Sequence, residues 1–298
     1  MMQALLSILK VIVNHPFNSE HKLRSIIGFF KYQIATRLMG TKFLVDWVDD
    51  AKFITMKGEN DLNGNLYCGL MEYEDMRFLL HFSKKTDTFF DIGANVGSYT
   101  ILASGVRGCH SICFEPLPST FDRLLDQIKI NRIDSLVDAR NNGVGDKSGK
   151  LEFTNNLNCL NKVNTDPSNK DTTEVDVITL DSNFEPKTPT IVKIDVEGYE
   201  KFVFDGGNNF FSNPNVIALI VELSGNAFFG IKHLDIEEKI SSFGFLPISY
   251  DPFTQKVNTL DAYNVGGNSI YVKNIDDAVK RCLESESFCV HTANDLII

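Results

Sequence analysis

The chain has 298 residues, 43% of them hydrophobic and 23% charged, enough to bury a full core in one large or two ordinary units. Its formal net charge of −10 excludes bulk binding to a polyphosphate, so no nucleic-acid partner is expected: such a partner needs a clustered basic face. The six cysteines show no C-x-x-C pair and no His/Cys ligand spacing, and are expected as reduced structural thiols of a cytoplasmic protein.

Residues 1–40 read as helix, broken near Asn14-His15-Pro16, with Asn18 or Ser19 placed to cap a restart. The apolar run 4–13 is too short to span a bilayer, Lys10 interrupts it, and no small-residue cleavage site follows, so no signal peptide is expected. Residues 1–45 carry six Lys/Arg against one acid, Glu20. Two readings stand: a helical cap with its cations on the wet face, or a peripheral contact with the inner face of an anionic membrane. Glycines at 58, 64 and 69 suggest short strands and turns over 43–70, and 73–83 reads as a helix.

From residue 88 the pattern alternates. Strands are predicted at 89–92, 110–115, 136–144, 190–195 and 216–223, with helices at 97–106, 119–131 (capped by Ser119 or Thr120), 199–211 and 234–243. A strand pair at 149–154 and 174–180 encloses an Asn-rich excursion, and strands at 245–250 and 268–273 close the chain as an antiparallel hairpin. Continuous apolar strands between helices mean an α/β fold with a mostly parallel sheet buried on both faces. The expected division is a cap at 1–85, a core at 86–275 and a tail at 276–298.

The turn Gly93-Ala94-Asn95-Val96-Gly97 follows the first strand of that core, where ligands bind in open parallel sheets. Its spacing is G-x-x-x-G. A dinucleotide turn wants a glycine where Asn95 stands, and Asp91 would repel a pyrophosphate. S-adenosylmethionine carries a sulfonium and an amino group and no phosphate, so it suits Asp91 better. Glu115 ends the second strand, where a carboxylate accepts hydrogen bonds from both ribose hydroxyls, and Pro116 shapes the loop after it. The cofactor-binding set is therefore Asp91, Gly93, Asn95, Gly97, Glu115 and Pro116, with Asp195 at the end of a later strand. An NAD-linked oxidoreductase and a non-catalytic adenosyl-binding module are the competing classes.

Three blocks, F-F-D-I-G-A-N-V-G-S-Y-T (89–100), F-E-P-L-P-S-T-F-D-R-L (114–124) and I-V-K-I-D-V-E-G-Y-E (191–200), with V-I-T-L-D (177–181) and Gly206-Gly207, resemble the FkbM-type methyltransferases. The resemblance covers about residues 60–273. It implies a class I, Rossmann-like methyltransferase fold with a seven-stranded sheet, S-adenosylmethionine as donor, and O-methylation of a sugar or natural-product hydroxyl.

Methyl transfer to a hydroxyl needs alignment and late removal of one proton. In an extended segment Lys193, Asp195 and Glu197 share one side. Glu197 is the candidate general base, Asp195 the candidate contact to acceptor or cofactor, and Lys193 their orienting partner. Glu222 closes the next strand and is the fourth candidate, while Glu200 reads as a helix-terminus acid. No resident metal is expected, although Asp195, Glu197 and Glu222 together form an alternative ligand set for Mg²⁺. His233 is an alternative base; Phe228, Phe229 and Tyr250 are candidates for a sugar-stacking face, and loops 155–172 and 224–234 for acceptor contact.

Overall fold

The computed structural model describes residues 2–40, 42–56, 60–154, 162–166, 168–223, 230–262, 267–291 and 296–298. Helix α1 (Met2–Asn14) stops before Pro16, whose fixed φ starts a single 3-10 turn, Pro16–Asn18. Helix α2 (Lys22–Met39) then ends at Gly40, in the left-handed region. Asn18 does not cap this helix. It is buried, its Nδ2 donating to the carbonyls of Ile12 and Tyr67 at 2.9 Å each and its Oδ1 accepting from Ser25, so it ties the helical pair to the following segment.

Strands β1 (Phe43–Asp46) and β2 (Lys52–Thr55) form an antiparallel hairpin. Helix α3 (Asn60–Cys68) replaces the strands and turns suggested by its glycine. Tertiary packing overrides local propensity here: the Met71 side chain lies where a Cβ on Gly64 would be, 2.8 Å from Met71 Cγ. Helix α4 (Tyr73–Phe82) follows as predicted.

Strand β3 (Thr88–Ile92) leads into helix α5 (Ser98–Thr100), which runs on as a π-helical turn, Ile101–Val106. Then come β4 (His110–Phe114), α6 (Pro118–Asn131) and β5 (Val137–Arg140). Helix α6 begins at Pro118 after Leu117, so neither Ser119 nor Thr120 caps it; proline at the first position supplies the start instead. The strand expected at 136–144 divides, because β6 (Gly143–Val144) joins β7 (Gly149–Thr154) and β8 (Thr172–Ile178) in a separate sheet of order β6-β8-β7.

Helix α7 (Leu180–Asn183), β9 (Thr190–Ile194), helices α8 (Glu200–Asp205) and α9 (Asn208–Ser212), β10 (Val216–Glu222) and α10 (His233–Ser242) continue the alternation. The single helix expected at 199–211 is interrupted at Gly206-Gly207. A Cβ on Gly206 would lie 1.9 Å from the Gly145 carbonyl oxygen, so the chain turns where it touches the small sheet. Asp181 fastens this turn, accepting from the backbone of Asn209 and Phe210 at 3.0 and 2.8 Å.

Strands β11 (Leu246–Asp251), β12 (Lys256–Thr259) and β13 (Asn268–Val272), helix α11 (Ile275–Leu283) and the short pair β14 (Cys289–Val290) and β15 (Leu296–Ile297) complete the chain. The main sheet runs β12-β11-β13-β10-β9-β3-β4-β5. Its β5, β4, β3, β9 and β10 are parallel, β13 is antiparallel to β10, and β12 adds an eighth strand outside the seven. Strand order reverses between β3 and β9, which opens a cleft at their carboxyl ends.

Alternation on these strands splits the core in two. Phe89 and Ile191 face one cluster, with α4 and the π-helical turn, while Phe90, Val192 and Ile194 face the other. Two amides of α6 serve as a substitute strand: Gln127 and Asn131, one turn apart, each bond both N–H and C=O of Ile54 and Lys52 at 2.7–2.8 Å. They satisfy the free edge of β2 and join it to the sheet.

The C-terminal helix is held by a buried ion pair, Arg281 Nη1 to Asp87 Oδ2 at 2.7 Å, with Asp87 also accepting from Lys84 N. Burial pushes the Asp87 carboxyl up, so its charge depends on the guanidinium. Arg281→Met is expected to cost about 3–5 kcal/mol by leaving that charge unpaired. A denaturant titration checks this through a lower midpoint at unchanged slope.

Candidate active site

Directly opposed residues on neighbouring strands project from the same face of a sheet. The register pairs Asp91 with Lys193, Lys193 with Ile220, and Glu222 with Asn268. Asp91, Lys193, Glu222 and Asn268 therefore lie on one face, above the apolar row Phe89, Ile191, Ile220 and Ile270. This face is oily along the strands and polar at their carboxyl ends. A cavity of about 390 Å³ opens there, lined among others by the glycine turn, Glu115, Pro116, Lys193, Asp195, Glu197, Glu222, Asn65, Met71 and Glu72.

The turn is pinned at both flanks. Gly93 N and Ala94 N donate to the Phe114 carbonyl at 3.1 and 2.9 Å, and Asp195 N donates to the Ile92 carbonyl at 2.9 Å. Gly93, Asn95 and Gly97 all have positive φ, at 83°, 50° and 92°. Asp91 lines the cavity, with Oδ2 accepting from Thr100 Oγ1 at 2.7 Å. Burial raises its pKa while the Lys193 charge opposes the rise. Glu115 accepts backbone N–H groups of Leu117 and Asn95 at 2.9 and 3.1 Å, yet burial still pushes its carboxyl up to about 7. Asn141 Nδ2 donates to the carbonyls of Glu115 and Pro116, which holds the loop after β4. This cradle fits an adenosyl sulfonium: the Asp195 backbone closes on Gly93 where a Cβ would stand, one carboxylate stands at the end of β4, and no arginine is presented for a pyrophosphate among the described lining residues.

Lys193 Nζ lies 2.7 Å from Asp195 Oδ2 and 4.8 Å from the centre of the Tyr99 ring. Lys193 is 4% exposed and Asp195 26%, so the pair spans the cavity wall. Burial pushes the lysine down, but Asp195, Glu72 and Asp91 outweigh it and hold the ammonium above its ordinary value. Burial likewise pushes Asp195 up, and the Lys193 charge with a hydrogen bond to Glu222 brings it below the usual carboxylate range. Both groups stay charged.

The extended path assumed for 193–197 ends at Ile194. Glu197 sits instead in a tight turn at φ 54°, followed by Gly198 at φ 96°, and Glu200 holds that turn by accepting from Gly198 N at 2.9 Å. Glu197 still reaches the cleft: Asp195, Glu197 and Glu222 each offer an oxygen, all within 4.8 Å of one another. A set of three such oxygens has the ligand chemistry of a hard-cation site as well as of a proton-accepting one.

Sequence reasoning missed the wall opposite. Asn268 Nδ2 donates to Glu72 Oε1 at 2.9 Å and Asp75 Oδ2 at 3.1 Å, which seats the start of α4 on the polar sheet face. Burial, then the Glu72 charge, raises Asp75 to about 7. The acidic run at 72–75 reads in sequence as a complement to a helix dipole, and only the register of Asn268 against Glu222 reveals its other use. Tyr250 is buried against His81 in the core, which removes it from the sugar-stacking candidates; Phe228 and Phe229 lie outside the described residues, as do 155–161, 167 and 224–227 of the two loops. His233 is the first residue of α10 and is not among the cavity-lining residues.

A family model described as the methyltransferase FkbM domain matches residues 91–247, more than half of the chain. The hexuronic acid methyltransferase AglP of Haloferax volcanii is 30% identical over 173 residues, which are 57% of this chain and 68% of that protein. Among solved structures, M. jannaschii TYW2 in complex with AdoMet is similar at 12% identity and TM-score 0.40, covering 78% of this chain and 84% of that one. Precorrin-6y C5,15-methyltransferase from Geobacter metallireducens is similar at 11% identity and TM-score 0.39, covering 74% and 93%. The family match spans the glycine turn, the Glu115 strand end and the Lys193–Glu197 segment that line the cavity, and the chain thus belongs to the FkbM-domain methyltransferases and is an S-adenosylmethionine-dependent methyltransferase.

Proposed function

We propose that the enzyme O-methylates a hydroxyl of a sugar, glycan or glycolipid-like acceptor. The observation that carries this is the convergence of Asp195, Glu197 and Glu222 at the mouth of the cofactor cradle. Bound S-adenosylmethionine supplies a methyl group already activated by its sulfonium. The protein has to position the acceptor and take its proton. Glu197 is assigned the proton, since its strained backbone holds the carboxylate toward the cleft. Asp195, fixed by Lys193, and Glu222 accept hydrogen bonds from neighbouring hydroxyls of a polyol. Asp91, Gly93, Asn95, Gly97, Glu115 and Pro116 are assigned to the cofactor. The relative described as a hexuronic acid methyltransferase supports a sugar acceptor. The test is methyl transfer from labelled donor to cell-envelope glycan fractions, with the product linkage read by NMR. A methyl ether supports the reading; a methyl ester or N-methyl product overturns it.

Glu115 gives the binding step a pH dependence. Ribose hydroxyls donate to an ionised carboxylate, whereas burial holds this one protonated up to about 7. Affinity for S-adenosylmethionine is therefore expected to fall by up to about tenfold per pH unit below 7 and to level off above it. In the ligand-free protein the sign is opposite: the folded state keeps a proton that the unfolded chain releases near 4.5, so this stabilisation is present below 4.5 and lost as pH rises to about 7. Calorimetric titration across this range checks the affinity, and Glu115→Gln should remove the slope along with most of the binding.

A further inference from the structure

Helix α2 is apolar on the side that faces away from the protein. Leu23, Ile27, Phe30, Ile34 and Leu38 follow one another at spacings of four and three, which places them on a single helical stripe, and all five are exposed, Leu23 by 71% and Leu38 by 81%. The opposite face is the anchored one: Ser25, Phe29 and Thr36 are buried, and Tyr32 Oη donates to Asn63 Oδ1 at 2.9 Å. Helix α1 adds Leu6, Ile8 and Val11, also exposed. Half of the exposed large apolar side chains among the described residues fall within residues 5–38. The cations of the two helices are on the wet face, as expected of a helical cap, but they share it with these apolar side chains.

The stripe is bordered by charge. On a helical projection Arg24 and Lys31 lie along one side of it, and Arg37 along the other. An apolar band between cations is the pattern of a helix lying in the plane of an anionic lipid surface. No described helix is long and apolar enough to cross a membrane. A second copy docking face to face would bring these cations together, which costs energy, whereas anionic headgroups neutralise them. The rest of the chain is acidic and repelled by such a surface, so contact would orient the molecule with α1 and α2 down.

We propose that α1 and α2 form an interfacial docking face for an anionic bilayer. The face points away from the cavity, but the helix that carries it packs by its other side on α3, whose Asn65 lines the cavity. The inference does not depend on the identity of the acceptor. Its test is co-sedimentation of the full chain with vesicles of phosphatidylcholine alone and of phosphatidylcholine with phosphatidylglycerol. Partition to the anionic vesicles is expected, weakened by salt, with little to the neutral ones. Arg24→Gln with Lys31→Gln is expected to lower it about 25-fold, and Leu23→Gln with Phe30→Gln and Leu38→Gln by at least about tenfold. Leu283→Gln, exposed on α11, should leave it unchanged, and circular dichroism with cofactor titration verifies that each variant is folded. Equal partition of wild type and variants, no partition at all, or a dimer in sedimentation velocity that the leucine and phenylalanine changes dissolve would overturn the proposal.

Discussion

Glu197→Gln is expected to lower kcat by about 10²–10⁴ while leaving the affinity for S-adenosylmethionine nearly unchanged. The amide keeps the size and the turn of Glu197 but cannot accept a proton. Its neighbours are poorly placed to replace it: Lys193 holds Asp195 as a charged partner at 2.7 Å, and Glu222 shares a hydrogen bond with Asp195. A single-turnover assay separates the chemical step from binding and product release. Unchanged turnover would remove Glu197 from the role and direct attention to Asp195 and Glu222. Because the same three carboxylates have the chemistry of a cation site, chelation provides a second readout. Turnover insensitive to EDTA is expected if Glu197 acts as a base with Lys193 as the resident cation, whereas loss restored by Mg²⁺ would assign the three oxygens to a metal.

Gly93→Ala is expected to reduce cofactor affinity by at least about 100-fold, on the scale of what an ångström of misplacement costs a prearranged site. An alanine Cβ would stand 1.8 Å from the Asp195 carbonyl oxygen and 2.8 Å from its carbon, and the residue would have to hold φ 83°. The left-handed conformation alone costs about 1–2 kcal/mol. The contact cannot be relieved by a side chain moving aside, since the obstacle is backbone, and separating the two strands would carry Asp195 and Glu197 away with β9. Gly149→Ala is the control: nothing lies within 4 Å of its Cβ position, and it should bind cofactor normally. Calorimetric titration of both variants, with circular dichroism to show folding, decides the matter.

The two predictions rest on different kinds of knowledge. Gly93, Asp91 and Glu115 are legible along the chain because each belongs to a short segment, a strand end and its turn, whose geometry is set by the residues themselves. The choice of a sulfonium ligand over a pyrophosphate follows from the same few residues. Strand and helix alternation from residue 88 is legible for a similar reason, since periods of two and of 3.6 need only local sequence. Where local signals conflict with packing, the reading breaks down. Gly64 sits inside a helix because Met71 occupies its empty side, Gly206 ends one because Gly145 presses on it, and Asn18 is a buried tie that has the composition of a cap.

Sequence alone was therefore enough for the fold class and the donor, and it named Asp195, Glu197 and Glu222 of the cavity lining but not Glu72. It could not say which carboxylates meet. Glu222 is 25 residues from Glu197 and Asn268 is 196 from Glu72, and their approach depends on strand register and on α4 crossing the sheet face. Nor could it orient α2, because a helix with apolar residues on two sides can turn either one inward. The side packed on α3 leaves the other, with its border of cations, facing outward. Contacts between segments far apart in the chain choose among arrangements that local chemistry permits equally.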